Sequence, residues 1–263
     1  MTSIGFIGVG NMGSAIIRGL AARGDVTLAG YDLNTESLAA LAPVGLQAAA
    51  SPRELAEQCQ IILLAVKPHQ VKAVLEDISP ALNQGRTVVS IAAGITMKKL
   101  LKWADPAPVV RVMPNTPAMV GAGVFALCLE DERLDQQRKD LLTDLFQGLG
   151  QVHVLPERLF DAFTAVAGSG PAYVFYFMEA VIEAGVTLGL TRQQATRMVE
   201  GLFLGSARLA AESEHHISVL REMVCSPAGT TIAATNAFDE HAVRAAILEG
   251  VLRSARRSKE LGD

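Results

Sequence analysis

The sequence predicts an α/β protein in two parts: a mostly parallel, doubly wound sheet over residues 1–155, then helices alone over residues 156–263. Strand and helix patterns alternate through the first part, and strand patterns stop after QVHVL at residues 151–155. Short apolar runs at residues 3–7, 27–31, 61–66, 87–92 and 109–113 are each followed by a helix signal. That rhythm belongs to parallel strands joined by crossover helices. SPRELAEQC, residues 51–59, shows the signal most fully, with a Ser cap, a Pro at the first helical position and an early Glu. GVFALCL at residues 123–129, a polar-faced helix at 135–148 and QVHVL complete the sheet.

The second part begins with a helix at residues 172–189, AYVFYFMEAVIEAGVTLG, apolar nearly all round except for Glu179 and Glu183 on one face. Such a helix in water has to be covered on most sides, which a short helical segment hardly manages by itself. Gly185/Gly189 and Gly201/Gly205 place small residues at helical spacing, where neighbouring helices can approach closely. A monomeric bundle is one solution. Symmetric pairing is the commoner one, so the segment is expected to be an all-α C-terminal dimerisation domain.

Bulk properties exclude several function classes. Half of the 263 residues are apolar, the formal net charge is −4, and neither Lys/Arg runs nor interleaved aromatics occur, so no nucleic-acid partner is expected. The start of the chain lacks a charged leader, and no apolar run approaches the roughly 20 residues of a membrane helix, which predicts a cytoplasmic protein without a membrane partner. Cys59, Cys128 and Cys225 have no metal-ligand spacing; they are expected reduced and buried, with no metal site.

IGFIGVGNMGSAI carries Gly8, Gly10 and Gly13, with Asn11 and Met12 between, directly after the first strand and at the start of a helix. The first glycine makes a tight turn, the second lets backbone approach a pyrophosphate, and the third lets helix pack on strand, a Rossmann-type fingerprint. Asp32 follows about 20 residues later at the end of the second strand, placed to accept from an adenosine ribose hydroxyl. A nicotinamide dinucleotide fits this pattern best; a flavin or methyl-donor site and a plain glycine turn are the alternatives. Asp32 repels a 2′-phosphate and DLNTES contains no Arg or Lys, so NADH is expected to serve at least as well as NADPH, with Asn34, Thr35 and Ser37 as the available phosphate donors. AVKPHQ, with Ala65, Val66, Lys67 and Pro68, and RVMPNTPAMVGAG, with Asn115, follow later strands, where ligands bind in open sheets. Lys67 is a candidate for the cofactor phosphates, and His69 reads as an exposed loop residue.

In order and spacing, GVGNMGSAI, AVKPHQV, SIAAGIT, RVMPNTPAMVGAG, AGSGPAYVF, EAGVTLGL, SPAGTT and RSARRSKEL resemble the pyrroline-5-carboxylate reductases over essentially the whole chain. The resemblance implies a Rossmann domain that binds NADPH or NADH, and an all-helical domain that interlocks with a second subunit. A homodimer is the implied assembly, with a ring of dimers as its larger form. The implied reaction, the last step of proline biosynthesis, reduces the cyclic imine 1-pyrroline-5-carboxylate to L-proline. Carried over by motif, Ser226, Gly229, Thr230 and Thr231 contact the substrate, Glu214 lies close by, Ala92 belongs to the cofactor site and Asn115 sits by the nicotinamide. Several positions depart from the family's usual residues: Ala228 stands where a glycine is common, Cys225 where Thr or Ser is, Gly13 where Ala is frequent, and Ile217 where Pro follows His216.

SPAGTT can also be read from its residues. Ser226 suits a helix N-cap and Pro227 the first helical position, so Ala228, Gly229 and Thr230 would follow with ordinary helical φ and N–H groups free for a carboxylate. A merely capped helix fits the same residues. Reduction of a protonated imine requires orientation and a donor at the ring nitrogen, not a nucleophile or metal, and the Thr231 hydroxyl can be that donor. Beside Glu214, His215 and His216 read as a solvated helix end, since adjacent helix positions do not share a face. Cys225 reads as a small buried filler. Three alternatives remain: a reductase of a six-membered imine, a nucleotide-sensing scaffold, and a 3-hydroxyacid dehydrogenase. The last requires a Lys early in its helical domain, where this chain has none before Lys259.

Overall fold

The computed structural model describes residues 1–262. Its sheet has eight strands, β1 Thr2–Ile7, β2 Val26–Tyr31, β3 Gln47–Ala48, β4 Ile61–Leu64, β5 Thr87–Ser90, β6 Val109–Met113, β7 Gly123–Cys128 and β8 Gly150–Val154, in the order β3-β2-β1-β4-β5-β6-β7-β8. Every neighbouring pair is parallel except β6 and β7. The chain returns from β6 to β7 through a short 3₁₀ turn, Thr116–Val120, and a parallel return would need a longer crossover. β3, two residues long, escapes any periodicity reading.

Helices α1 Asn11–Ala21, α2 Thr35–Ala39, α3 Pro52–Gln58, α4 Val71–Ile78, α5 Met97–Trp103, α6 Gln136–Gln147 and α7 Phe160–Phe163 accompany the sheet. Their starts are set by side chains: Ser51 accepts from the Glu54 N–H, Thr96 from Lys99 and Asp135 from Arg138. Alternation along the strands feeds two apolar clusters. Phe6, Ile61 and Leu63 pack with Ile16 and Ile17 of α1 and with Phe146 of α6. Ile7, Ile62 and Leu64 pack with Leu55 of α3, Leu75 of α4, Leu100 of α5 and Phe160 of α7.

The chain divides into two compact units, Met1–Ser169 together with the C-terminal residues from Ser254 onward, and Gly170–Arg253. Residues 156–169 therefore pack with the sheet, beyond the strand end at Leu155 that marked the expected boundary. The reason is physical: Phe160 is fully buried in the second cluster, and Glu157 receives the buried Arg111 of β6. Glu157 Oε1 accepts from the Arg111 guanidinium at 2.8 Å and from the Met97 N–H at 2.6 Å, while the guanidinium lies 4.7 Å above the Phe160 ring. A π-turn, Thr164–Gly168, follows α7.

The second unit contains α8 Gly170–Thr187, α9 Arg192–Glu212, α10 Ile217–Met223, α11 Thr230–Glu240 and most of α12 Val243–Gly262. The end of α12 belongs to the first unit, where Ser254 Oγ donates to Ser169 Oγ at 3.2 Å and Ser258 Oγ to Asp161 Oδ1 at 2.7 Å. α8 and α9 pack tightly at Gly185, where an added Cβ would stand 3.1 Å from that of Ala195. Among its described residues only Ala195 and Val199 are buried, while Phe175, Tyr176 and Leu204 are 62%, 73% and 74% exposed. One expectation is corrected: Glu157–Thr187 is a helical run long and apolar enough to cross a membrane. Its first turns are committed to the core of the sheet unit through Phe160, Phe163 and Ala165, and Glu179 and Glu183 interrupt the rest.

Glu157→Gln keeps the size of the side chain but leaves the Arg111 guanidinium without its counter-charge. The substitution should cost about 1.5–3 kcal/mol of stability, read as a lowered denaturant midpoint at fixed protein concentration.

Candidate active site

In the sheet unit, the strand ends of β1 and β4 meet where the strand order reverses, the usual position of a ligand crevice in such a sheet. Gly8 there has φ +94°, and an added Cβ would lie 2.7 Å from the Ala65 carbonyl oxygen. A Cβ on Gly13 would lie 2.6 Å from the Gly8 carbonyl oxygen, which fixes α1 against the loop. Over Gly10 nothing approaches within 4 Å, and Gly10 caps α1 without a side chain, so the first N–H groups of α1, Asn11, Met12 and Gly13, have no capping side chain. An open approach over uncapped donors suits a pyrophosphate.

Asp32 closes one side. Its Oδ2 accepts the Val9 N–H at 2.7 Å and its Oδ1 the Asn34 N–H at 2.9 Å, which ties the glycine loop to the end of β2. Asn34 caps α2, its Oδ1 accepting from Glu36 and Ser37. A cleft of about 580 Å³ gathers Gly8, Gly10, Asp32, Ala65, Val66 and Lys67, a volume within the range of small-molecule sites. Tyr31, Leu33, Gln70, Val74 and Asp77 also line it. No local motif marks these; α4 brings Val74 and Asp77 there only through the packing of the sheet. Lys67 and His69 are exposed on the rim, and the Lys67 N–H is held by Gln70 Oε1 at 3.0 Å, with Pro68 opening that short turn.

Asn11, Met12, Gly13, Asn34 and Pro68 are not in this lining but stand in the same loops and helix starts as residues that are, whereas Ala92 and Asn115 lie apart from it. Ala92 is buried, its N–H donating to Ser90 Oγ at 3.3 Å. Asn115 is buried too; its Nδ2 donates to the Ala167 carbonyl at 3.1 Å and its Oδ1 accepts the Val124 N–H at 2.9 Å. Its amide thus fastens the start of β7 to the π-turn.

In the helical unit, SPAGTT folds differently from the sequence reading. The Gly229 N–H donates to the Ser226 carbonyl at 3.0 Å, closing a turn with Pro227 and Ala228 at its corners, and α11 begins only at Thr230 with Gly229 as its cap. Ser226 is therefore not the N-cap, and Ala228 has φ +55° rather than a helical value. Pro followed by a residue of positive φ is the pattern of a type II turn, which competes with helix initiation at Ser-Pro. The uncapped N–H groups become those of Thr230, Thr231 and Ile232. Ser226 Oγ folds over the turn, where a Cβ on Gly229 would meet it at 2.2 Å. The hydroxyls of Ser226, Thr230 and Thr231 make no intramolecular hydrogen bond among the described residues, and Thr231 is half-buried.

Glu214 is exposed in the connection between α9 and α10. His215 and His216 follow in the same connection, both exposed, and His216 is the N-cap of α10, its Nδ1 accepting the Ser218 N–H at 3.3 Å. Cys225 is half-buried instead of buried. Burial pushes the Cys59 thiol up to about 11 and, with Glu130 beside it, the Cys128 thiol to about 12, so both stay protonated at neutral pH.

Comparison with known proteins follows this geometry. Residues 157–261 match the family model described as pyrroline-5-carboxylate reductase dimerisation, and residues 3–94 the one described as NADP oxidoreductase coenzyme F420-dependent. The chain is 39% identical to the pyrroline-5-carboxylate reductase of Escherichia coli (strain K12), covering 98% of this chain and 97% of that protein. It superposes with a TM-score of 0.90 on the Plasmodium falciparum pyrroline carboxylate reductase solved with NADP bound, 32% identical, covering 100% of this chain and 98% of that one. A pyrroline-5-carboxylate reductase from Coxiella burnetii gives a TM-score of 0.90 at 35% identity, covering 100% and 99%.

The left-handed residue at 228 sets an ordered series. Ala228→Gly removes a strain of about 1 kcal/mol and adds a similar unfolded-state entropy, so stability should stay within about 1 kcal/mol. Ala228→Val places a β-branched side chain at positive φ and should raise the substrate KM severalfold while dinucleotide affinity is kept. Steady-state kinetics and dinucleotide titration of the two variants check this.

Proposed function

The chain belongs to the pyrroline-5-carboxylate reductase family and reduces 1-pyrroline-5-carboxylate to L-proline with NAD(P)H; we propose that its glycine-loop cleft holds the dinucleotide and that the Ser226–Thr231 segment holds the substrate. The dinucleotide supplies the hydride. What carries the substrate assignment is the set of unpartnered hydroxyls on Ser226, Thr230 and Thr231 beside the uncapped start of α11, in a stretch without a charged side chain.

A helix start of this kind favours an anion, so the N–H groups of Thr230, Thr231 and Ile232, with the Ser226 hydroxyl, take the substrate carboxylate. Gly229 keeps the turn closed under Ser226 Oγ. The Thr231 hydroxyl, at the second position of α11, donates to the lone pair that develops on the ring nitrogen as hydride addition turns the protonated imine into an amine. Glu214 supplies negative charge that favours the protonated, electrophilic imine. In the sheet unit, the N–H groups of Asn11, Met12 and Gly13 face the pyrophosphate, while Asp32, Asn34, Ala65, Val66, Lys67 and Pro68 border the dinucleotide. Ala92 and Asn115 support that half from within the core.

The helical unit is a dimerisation domain, and we propose a homodimer built on its uncovered apolar helices, with a ring of dimers as the larger assembly. A small imine acid is the partner; neither nucleic acid nor membrane is. Three free cysteines accord with a cytoplasmic setting.

Thr231→Val keeps the size and deletes the donor. Loss of one transition-state hydrogen bond costs about 2–4 kcal/mol, so kcat should fall roughly 30- to 1000-fold with a smaller change in KM. Gly229→Val should act chiefly on KM. Turnover by the Thr231 variant within about twofold of the parent excludes Thr231 as the donor. In sedimentation the active species should be no smaller than a dimer, and a fully active monomer overturns the pairing.

A further inference from the structure

We infer that Asp32 selects the cofactor, because its carboxylate is fixed at the ribose corner between β2 and α2 by two backbone N–H groups and no Arg or Lys stands in that corner to offset it, so that NADH is bound in preference to NADPH. This rests on the reading of the glycine-loop cleft as the dinucleotide site.

Residues at such a corner distinguish a ribose 2′-OH, which donates well to a carboxylate, from a 2′-phosphate, which a carboxylate repels. A surface acid could swing aside. Asp32 cannot do so cheaply: Oδ2 holds the Val9 N–H at 2.7 Å and Oδ1 the Asn34 N–H at 2.9 Å, so rotating the carboxylate away would free the glycine loop itself. A phosphate would also need donors, and two of the N–H groups in the first turn of α2 are committed. Glu36 and Ser37 donate to Asn34 Oδ1 at 3.0 and 3.4 Å.

The surrounding charge points the same way. Residues 32–39 contain Asp32 and Glu36 and no Arg or Lys, and Asp77 adds a second carboxylate to the cleft wall. Arg18 is directed to the Ala40 carbonyl, past the far end of α2, at 3.3 Å. Lys67, the cation that lines the cleft, and the neighbouring His69 come from the connection after β4 rather than from the β2–α2 corner. The groups left to meet a phosphate at that corner, the Leu33 and Thr35 N–H groups, the Asn34 amide N–H₂ and the Thr35 and Ser37 hydroxyls, are all neutral.

The test is direct binding of NADH and NADPH to the full chain, measured by calorimetry without substrate, in the parent, Asp32→Asn and Leu33→Arg. Leu33 is 83% exposed beside the corner. The parent should bind NADH at least about tenfold more tightly. Asp32→Asn should reduce the ratio to within about threefold, and Leu33→Arg, which adds a cation while leaving the Asp32 hydrogen bonds in place, should narrow it by about tenfold. Equal or tighter binding of NADPH by the parent overturns the inference, as does an unchanged ratio in Asp32→Asn. Binding of neither dinucleotide overturns the reading of the cleft as well, a failure distinct from the other two.

Discussion

The close approach of Gly8 to the Ala65 carbonyl sets the geometry on which the dinucleotide half depends. A single added carbon at that point would lie 2.7 Å from a backbone oxygen, so β1 and β4 end side by side only because the residue there has no side chain. That proximity opens the crevice at the reversal of strand order and points the start of α1 into it. Asp32 then fastens the same loop from the other side through Val9. Shape and charge are thus supplied by one short piece of chain, and a change at either end disturbs both.

A second constraint acts within the sheet unit. Arg111 lies on a central strand with little access to water, and a guanidinium there is tolerable only with a carboxylate and a surface to stack on. Glu157 and Phe160 provide these, which draws the segment after β8 into the sheet's core. Asn115 works alongside, holding the π-turn that immediately precedes the helical unit. The helical unit itself has almost no buried side chains, and it is this part of the chain that matches the dimerisation model.

Much of this was legible in the sequence because it follows from local periodicity and punctuation. The principal strands, the Ser51 cap and the glycine loop could be read from residue patterns, since each is specified within a few neighbours. What escaped depends on contacts distant in sequence. β3 is too short to carry a pattern, and the β6–β7 reversal has no residue signature. Asp77 reaches the cleft through helix packing, and Asn115 finds both partners beyond its own turn. At Ser226–Gly229 the local signal was present but ambiguous: Ser-Pro opens helices and Pro also opens type II turns, and the closure from Gly229 to Ser226 decided for the turn.

The return of α12 to the sheet unit has a consequence for the order in which the protein can be assembled. Ser169 and Asp161 find their partners in Ser254 and Ser258, and Lys99 reaches the carbonyl of Gly262 at 2.6 Å, so the first unit is finished by residues made after the whole helical unit. On the ribosome, where domains ordinarily fold as they emerge, the sheet can form early but waits, incomplete, while the whole helical unit is synthesised. Synthesis of α12 past Ser254 is then what lets it seal the sheet unit, so a subunit that has closed in this way is one whose translation has passed through the whole helical unit.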